Sequence, residues 1–181
     1  MGEREDDDRL MARVASGDAD AFRQLVDRHA DRVLALARRV LNQQADAEDV
    51  TQEVFTRLWT RADTYRPGQA RFTTWLYRIV MNASLNTRRG PAPPASLDDE
   101  PEPATDTPGP DQAAANRQTR DRVDSAIGTL PISQRAAIAL TASRELSNRE
   151  AAAIMQLSVK ALEALLVRAR RSLRTQLGDL R

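Results

Sequence analysis

Apolar residues recur three and four positions apart along most of this chain, the spacing that lines one face of an α-helix. Phe22, Leu25, Val26, His29, Val33, Leu36 and Val40 follow it and predict one long amphipathic helix. Ser16-Gly17-Asp18 separates that helix from an earlier one. A third helix is expected from near Asp46, with Val50, Val54, Phe55 and Leu58 as its buried stripe. Its first turn holds Glu48 and Asp49, which suit the positive end of a helix. Pro67-Gly68 marks a turn, and a fourth helix should cover about 72–88 with Phe72, Trp75, Leu76, Ile79 and Ala83 facing inward.

The pattern then breaks. Residues 90–110 read GPAPPASLDDEPEPATDTPGP and contain seven of the nine prolines, with almost no large apolar side chain. Such a stretch cannot bury enough surface to offset its ordering entropy and should be an extended tether. Helical spacing resumes beyond it. One helix is expected over about 112–127, ended by Gly128, and another from Pro131 to about Arg144. Ser147-Asn148-Arg149-Glu150 is a capping-box pattern before an Ala-rich helix. Gln156-Leu157-Ser158 reads as a short turn, with Ser158 capping a last helix from about Val159 to Gln176. The expected fold is all-α: a four-helix domain over 1–89, a flexible linker over 90–111, and a helix-turn-helix domain over 112–181.

Composition narrows the function. The chain contains no cysteine, which excludes disulfides and thiolate metal sites and fits the cytosol. Its apolar runs fall short of the roughly 20 residues of a membrane span, and MGEREDDDRL lacks the basic-then-apolar pattern of an export signal. A single histidine, no Gly-rich phosphate loop and no metal-ligand spacing argue against catalysis, a metal or a cofactor. His29 lies on the apolar stripe of its helix and reads as a core residue. Charge is uneven: residues 90–116 carry six acids and no base, and residues 117–181 carry 12 bases against six acids. A basic C-terminal piece behind an acidic tether suits a nucleic-acid binder.

Three constellations carry function. In LSNREAAAIMQLSVKALEALLVRARRSLR, residues 146–174, a capped short helix, a turn and a longer helix form a helix-turn-helix pattern. Ala152, Ile154, Leu157, Leu162, Leu166 and Ala169 stand where its core belongs. Lys160, Glu163, Ala164, Val167, Arg168 and Arg171 lie on the opposite face, suited to a major groove and its phosphates. Residues 64–89 hold five arginines and no acid, interleaved with aromatics, a combination that binds unstacked single-strand bases. Phe72 and Trp75 are expected in the core there. Tyr77, Arg78, Asn82, Asn86, Arg88 and Arg89 are expected at the surface. In DAEDVTQEVFTRLW, Asp49, Gln52, Glu53 and Thr56 share one polar face. These features are open to a self-sufficient helix-turn-helix regulator and to a protein-binding helical adaptor; a third reading, a promoter-specificity subunit of RNA polymerase, comes with the family that the same segments resemble.

The segments GDADAFRQLVDRH, DAEDVTQEVFTRLW, RFTTWLYRIVMNASLN and LSNREAA…LSVKALEALLVRARRSLR, in that order, resemble the extracytoplasmic-function (ECF) branch of the bacterial sigma-70 factors. The resemblance implies partners: RNA polymerase core, promoter DNA, and an anti-sigma factor, with no insertion into the membrane. It implies that the first domain grips core polymerase through Asp49, Gln52 and Glu53 and melts the −10 element, with Asn82 pairing a flipped base. It implies that the second domain reads the −35 element as duplex. The chain departs from the common pattern at the turn, where Gln156 replaces a glycine, and in the recognition helix, where Glu163 and Ala164 replace a basic and a small polar residue. Glu163 could accept from cytosine N4 or repel phosphate, and Ala164 or Val167 could touch a thymine methyl. In relatives the linker threads polymerase channels, so Asp98, Asp99, Glu100 and Glu102 are expected to influence abortive initiation.

Overall fold

The computed structural model describes residues 2–87, 121–142 and 146–178, with side chains from Asp7 onward. Four helices build the N-terminal half: α1 (Gly2–Ala15), α2 (Ala19–Leu41), α3 (Gln44–Thr60) and α4 (Phe72–Thr87), with a 3-10 turn at Ala62–Thr64 after α3. The C-terminal half contains α5 (residues 121–128), α6 (Ile132–Ala142), α7 (Asn148–Met155) and α8 (Val159–Gln176). Among the described residues there is no strand. The helix α3 begins two residues before the expected Asp46. The tether over 90–111 and the expected helical residues 112–120 lie outside the described residues.

Local chemistry sets the helix ends. Asp18 caps α2, its Oδ1 accepting from the amides of Asp20 (2.9 Å) and Ala21 (3.0 Å), and Arg13 holds the other carboxylate oxygen. The α2 helix stops at Asn42, which adopts the left-handed conformation at φ 58°. Asparagine tolerates that region better than most residues. Ser147 and Glu150 form the full reciprocal capping box at the start of α7. Gln156 ends α7, also left-handed, at φ 57°. Ser158 Oγ then accepts from the Ala161 amide (3.1 Å) to start α8.

The central helix is α2, which packs on α1, α3, α4 and, from the C-terminal half, α6. Leu25, Val33, Ala37, Val40 and Leu41 are buried along it, facing Val50, Val54 and Leu58 of α3 and Phe72, Leu76, Val80 and Met81 of α4. Ile79 is only half-buried, and Val80 and Met81 take the place expected for it. The core continues without interruption into Ala136, Leu140, Ala151 and Ile154. His29 is buried, as expected, with its ring tilted against that of Phe72 at 5.1 Å. It also meets a partner that periodicity does not reveal. Asp7 of α1 is buried, with Oδ2 3.0 Å from His29 Nε2 and Oδ1 2.6 Å from Arg28 Nη1. Burial pushes the Asp7 carboxyl up, but its hydrogen bonds and charge attraction to His29 and Arg28 outweigh that and leave it below its ordinary value.

Candidate polymerase and nucleic-acid interface

On α3 the exposed side chains Asp49, Gln52, Glu53 and Thr56 fall at helical spacing on one face. Glu53 pairs with Arg57 one turn on, and Thr56 Oγ1 donates to Gln52 O (2.9 Å). Trp59 extends the same face, 39 % exposed, with its ring edge-on to Phe22 at 5.2 Å. The apolar-stripe reading overlooked this large aromatic left open beside the polar stripe. Its spacing of three from Thr56 was the available signal.

The aromatic and arginine segment behaves differently from its sequence expectation at one position. Phe72 and Trp75 are core residues, packed with Tyr65 in an aromatic cluster. Arg78 and Asn86 are exposed and Asn82 is half-buried. With Thr74 these form a polar stripe at four-residue spacing along α4. Tyr77 does not belong to it. It is buried, because α6 and Leu146 of the C-terminal half pack over that side of α4. Arg88 and Arg89 lie outside the described residues. Next to the stripe is a recess of about 240 Å³ whose wall includes Arg66, Gln69, Thr74, Trp75 and Arg78. Its far side is Ala153, from α7. The sequence reading missed Arg66 and Gln69, since loop residues carry no periodicity.

The helix-turn-helix core forms from Ala152, Ile154, Leu162, Leu166 and Ala169. Leu157 is not part of it. The left-handed turn at Gln156 swings the chain away from α7, the Leu157 amide closes back on Ala152 O (2.9 Å), and its side chain stands 37 % exposed. Lys160, Glu163, Ala164, Val167, Arg168 and Arg171 are all exposed on one side of α8. Val167 is 62 % exposed, more than any other large apolar residue described. Arg170, Arg171 and Arg174 surround it, flanking an open hollow of about 440 Å³. The result is an exposed aliphatic side chain flanked by three guanidinium groups.

Sequence comparison matches residues 25–91 to Sigma-70 region 2 and residues 120–173 to Sigma-70, region 4. The RNA polymerase sigma factor CnrH of Cupriavidus metallidurans is 37% identical, with 93% of each chain covered. The chain belongs to the sigma-70 family, in its ECF branch. The ECF sigma factor SigW of Bacillus subtilis is 32% identical over 92% of this chain and 94% of its own. The solved structure of CnrH in complex with the cytosolic domain of CnrY superposes with a TM-score of 0.69 at 33% identity, covering 96% of this chain and 98% of that one. The sigma factor RpoE of Bartonella quintana, solved with the anti-sigma factor NepR, shares the fold, with a TM-score of 0.61 at 21% identity over 87% of this chain and 96% of its own. Region 2 thus runs from within α2 through α4, and region 4 from α5 into α8. A sigma factor directs core polymerase to specific promoters and starts transcription there, and that is the function of this ECF factor. It is a transcription initiation factor, and none of its described helices is long and apolar enough to cross a membrane.

Proposed function

We propose that this ECF factor works through three surfaces on two modules, residues 1–89 and 112–181, tethered by 90–111. Asp49, Gln52, Glu53 and Thr56 of α3 dock on core polymerase. The α4 stripe of Arg78, Asn82 and Asn86, continued by Arg88 and Arg89, takes the unpaired −10 strand, and the neighbouring recess holds a flipped base. Lys160, Glu163, Ala164, Val167, Arg168 and Arg171 of α8 read the −35 duplex. The chain carries no chemistry of its own and acts in the cytoplasm, where polymerase and template are. An anti-sigma factor controls it, a reading supported by the CnrH relative, which was solved bound to CnrY.

The supporting observation is the α8 face. Lys160 and Arg171 are eleven positions apart, which at a rise of ~1.5 Å per residue is about 16 Å, the rise of roughly five base pairs. Gel shift and open-complex footprinting with core polymerase test the reading. Asn82→Ala should lower opening at the −10 element and leave core binding unchanged. Equal footprints for Asn82→Ala and wild type would remove Asn82 from the site. Tight duplex-promoter binding by the free chain would favour a self-sufficient regulator.

A further inference from the structure

The loop between α3 and α4, residues 61–71, forms one wall of the recess beside the α4 stripe. Its tip is ordered from within. Pro67 and Gly68 occupy the centre of a turn that the Gln69 amide closes on Arg66 O (3.3 Å), with Gly68 at φ 86°. Proline second and glycine third at positive φ fit a type II turn. Arg66 Nη1 donates back to Asp63 O and Tyr65 O. These bonds shape the loop but do not fix where it stands against the helices. Tyr65 does that. It is buried, with its ring edge-on to those of Phe72 (5.9 Å) and Trp75 (5.5 Å), and Tyr65 and Trp75 both line the recess.

The Tyr65 hydroxyl reaches out of the loop. It donates to Asp8 Oδ1 of α1, 57 positions earlier, at 2.5 Å, while Ala70 O of the same loop lies at 3.4 Å. A phenol has one hydrogen to give, and the closer, carboxylate acceptor takes it. Asp8 is half-buried, and its helix is firmly seated. Leu10, Met11 and Val14 bury that face of α1, and the Asp7 carboxylate meets Arg28 and His29 of α2. Two adjacent carboxylates thus divide the work. Asp7 ties α1 to α2, and Asp8 passes that fixed position on to the loop. The region 2 match begins at residue 25, so α1 and Asp8 stand outside it.

We propose that Asp8 is a positioning residue for −10 base selection: through the Tyr65 hydroxyl it sets the loop that walls the recess, and so sets how sharply the recess tells one flipped base from another. This role rests on the flipped-base reading of the recess given above. The test counts open complexes formed with core polymerase on a promoter that the wild-type chain initiates from, each −10 and −35 position being changed in turn to the other three bases. One −10 position should be read most steeply. There, Tyr65→Phe, which keeps the ring, and Asp8→Ala should each cut the best-to-worst base ratio roughly three- to tenfold, the net worth of one hydrogen bond. Asp8→Asn, whose amide oxygen still accepts, should stay within about twofold of wild type. The double variant Asp8→Ala/Tyr65→Phe should be no worse than either single change, in this ratio and in its urea midpoint measured without DNA. Base ratios at the −35 element and affinity for core should not move. A wild-type ratio in Tyr65→Phe or Asp8→Ala overturns the role. So does a loss spread evenly over the −10 and −35 positions, or an Asp8→Asn as poor as Asp8→Ala. Failure of the recess reading looks different: wild type itself would then read no −10 base steeply. The selection role would fall with it, while the urea midpoints would still decide whether Asp8 and Tyr65 are bonded.

Discussion

Replacing Gln156 with glycine is expected to stabilise the helix-turn-helix. Gln156 holds φ 57° and ψ 40°, where a Cβ crowds the following carbonyl. That conformation costs a non-glycine residue roughly 1–2 kcal/mol, and glycine adopts it freely. Glycine also makes the unfolded chain more flexible, which returns roughly 0.5–1 kcal/mol of the gain. The Gln156 side chain is exposed, so little packing is lost. Its backbone amide still reaches Ala152 O and Ala153 O, because those bonds do not depend on the side chain. The net expectation is a gain of about 0.5–1 kcal/mol, or roughly 1–4 °C in Tm for a chain of this size. Thermal melts by circular dichroism on the full chain, with urea titration as a check, measure it. Asn42→Gly, at the other left-handed helix end, should gain less, because asparagine already tolerates the region. An unchanged or lower Tm for Gln156→Gly would refute the reasoning, since no lost contact is available to hide the relief.

Other expectations follow from the same contacts. Ser147→Ala removes both hydroxyl bonds of the capping box and should cost about 1 kcal/mol by urea titration. Asp7 and Glu150 both titrate below their ordinary values, Glu150 chiefly through the Ser147 amide and hydroxyl. Their contribution is full above the unfolded carboxylate range and lost as pH falls through the depressed folded values, so acid melts should steepen below about pH 4. Asp7→Asn should flatten that part of the profile. Asp7→Ala should also destabilise the fold by about 2–3 kcal/mol, as it leaves His29 buried without its carboxylate. Glu163→Ala should shift preference at one −35 position in a binding-site selection; a uniform change across all sites would show that Glu163 acts only through charge.

Local rules carried the fold far. The capping box at Ser147, the cap at Ser158, the stripe of α2 and the extent of α8 all follow from residues within one or two turns of each other. The exposed face of α8 was legible for the same reason: an amphipathic period names both of its sides. The departures have a common physical origin in partners distant along the chain. Tyr77 looked like a surface residue because α6, more than fifty residues away, is what covers it. Asp7 sits in a run of acids that gives no hint of His29. Arg135 reads as one more surface arginine, yet it bonds a carbonyl 95 positions away. Leu157 fits an apolar period, but one left-handed residue before it turns it outward. The Arg66–Gln69 recess lies on a loop, where spacing carries no signal.

The central claim is that this chain gives core polymerase its promoter choice through α4 and α8. Run-off transcription on a genomic library, with start sites sequenced, tests it most directly. The account predicts a small set of starts sharing one −35 and one −10 element, absent with core enzyme alone. It also predicts that Arg168→Ala/Arg171→Ala depletes this set. Starts scattered as with core alone would contradict it.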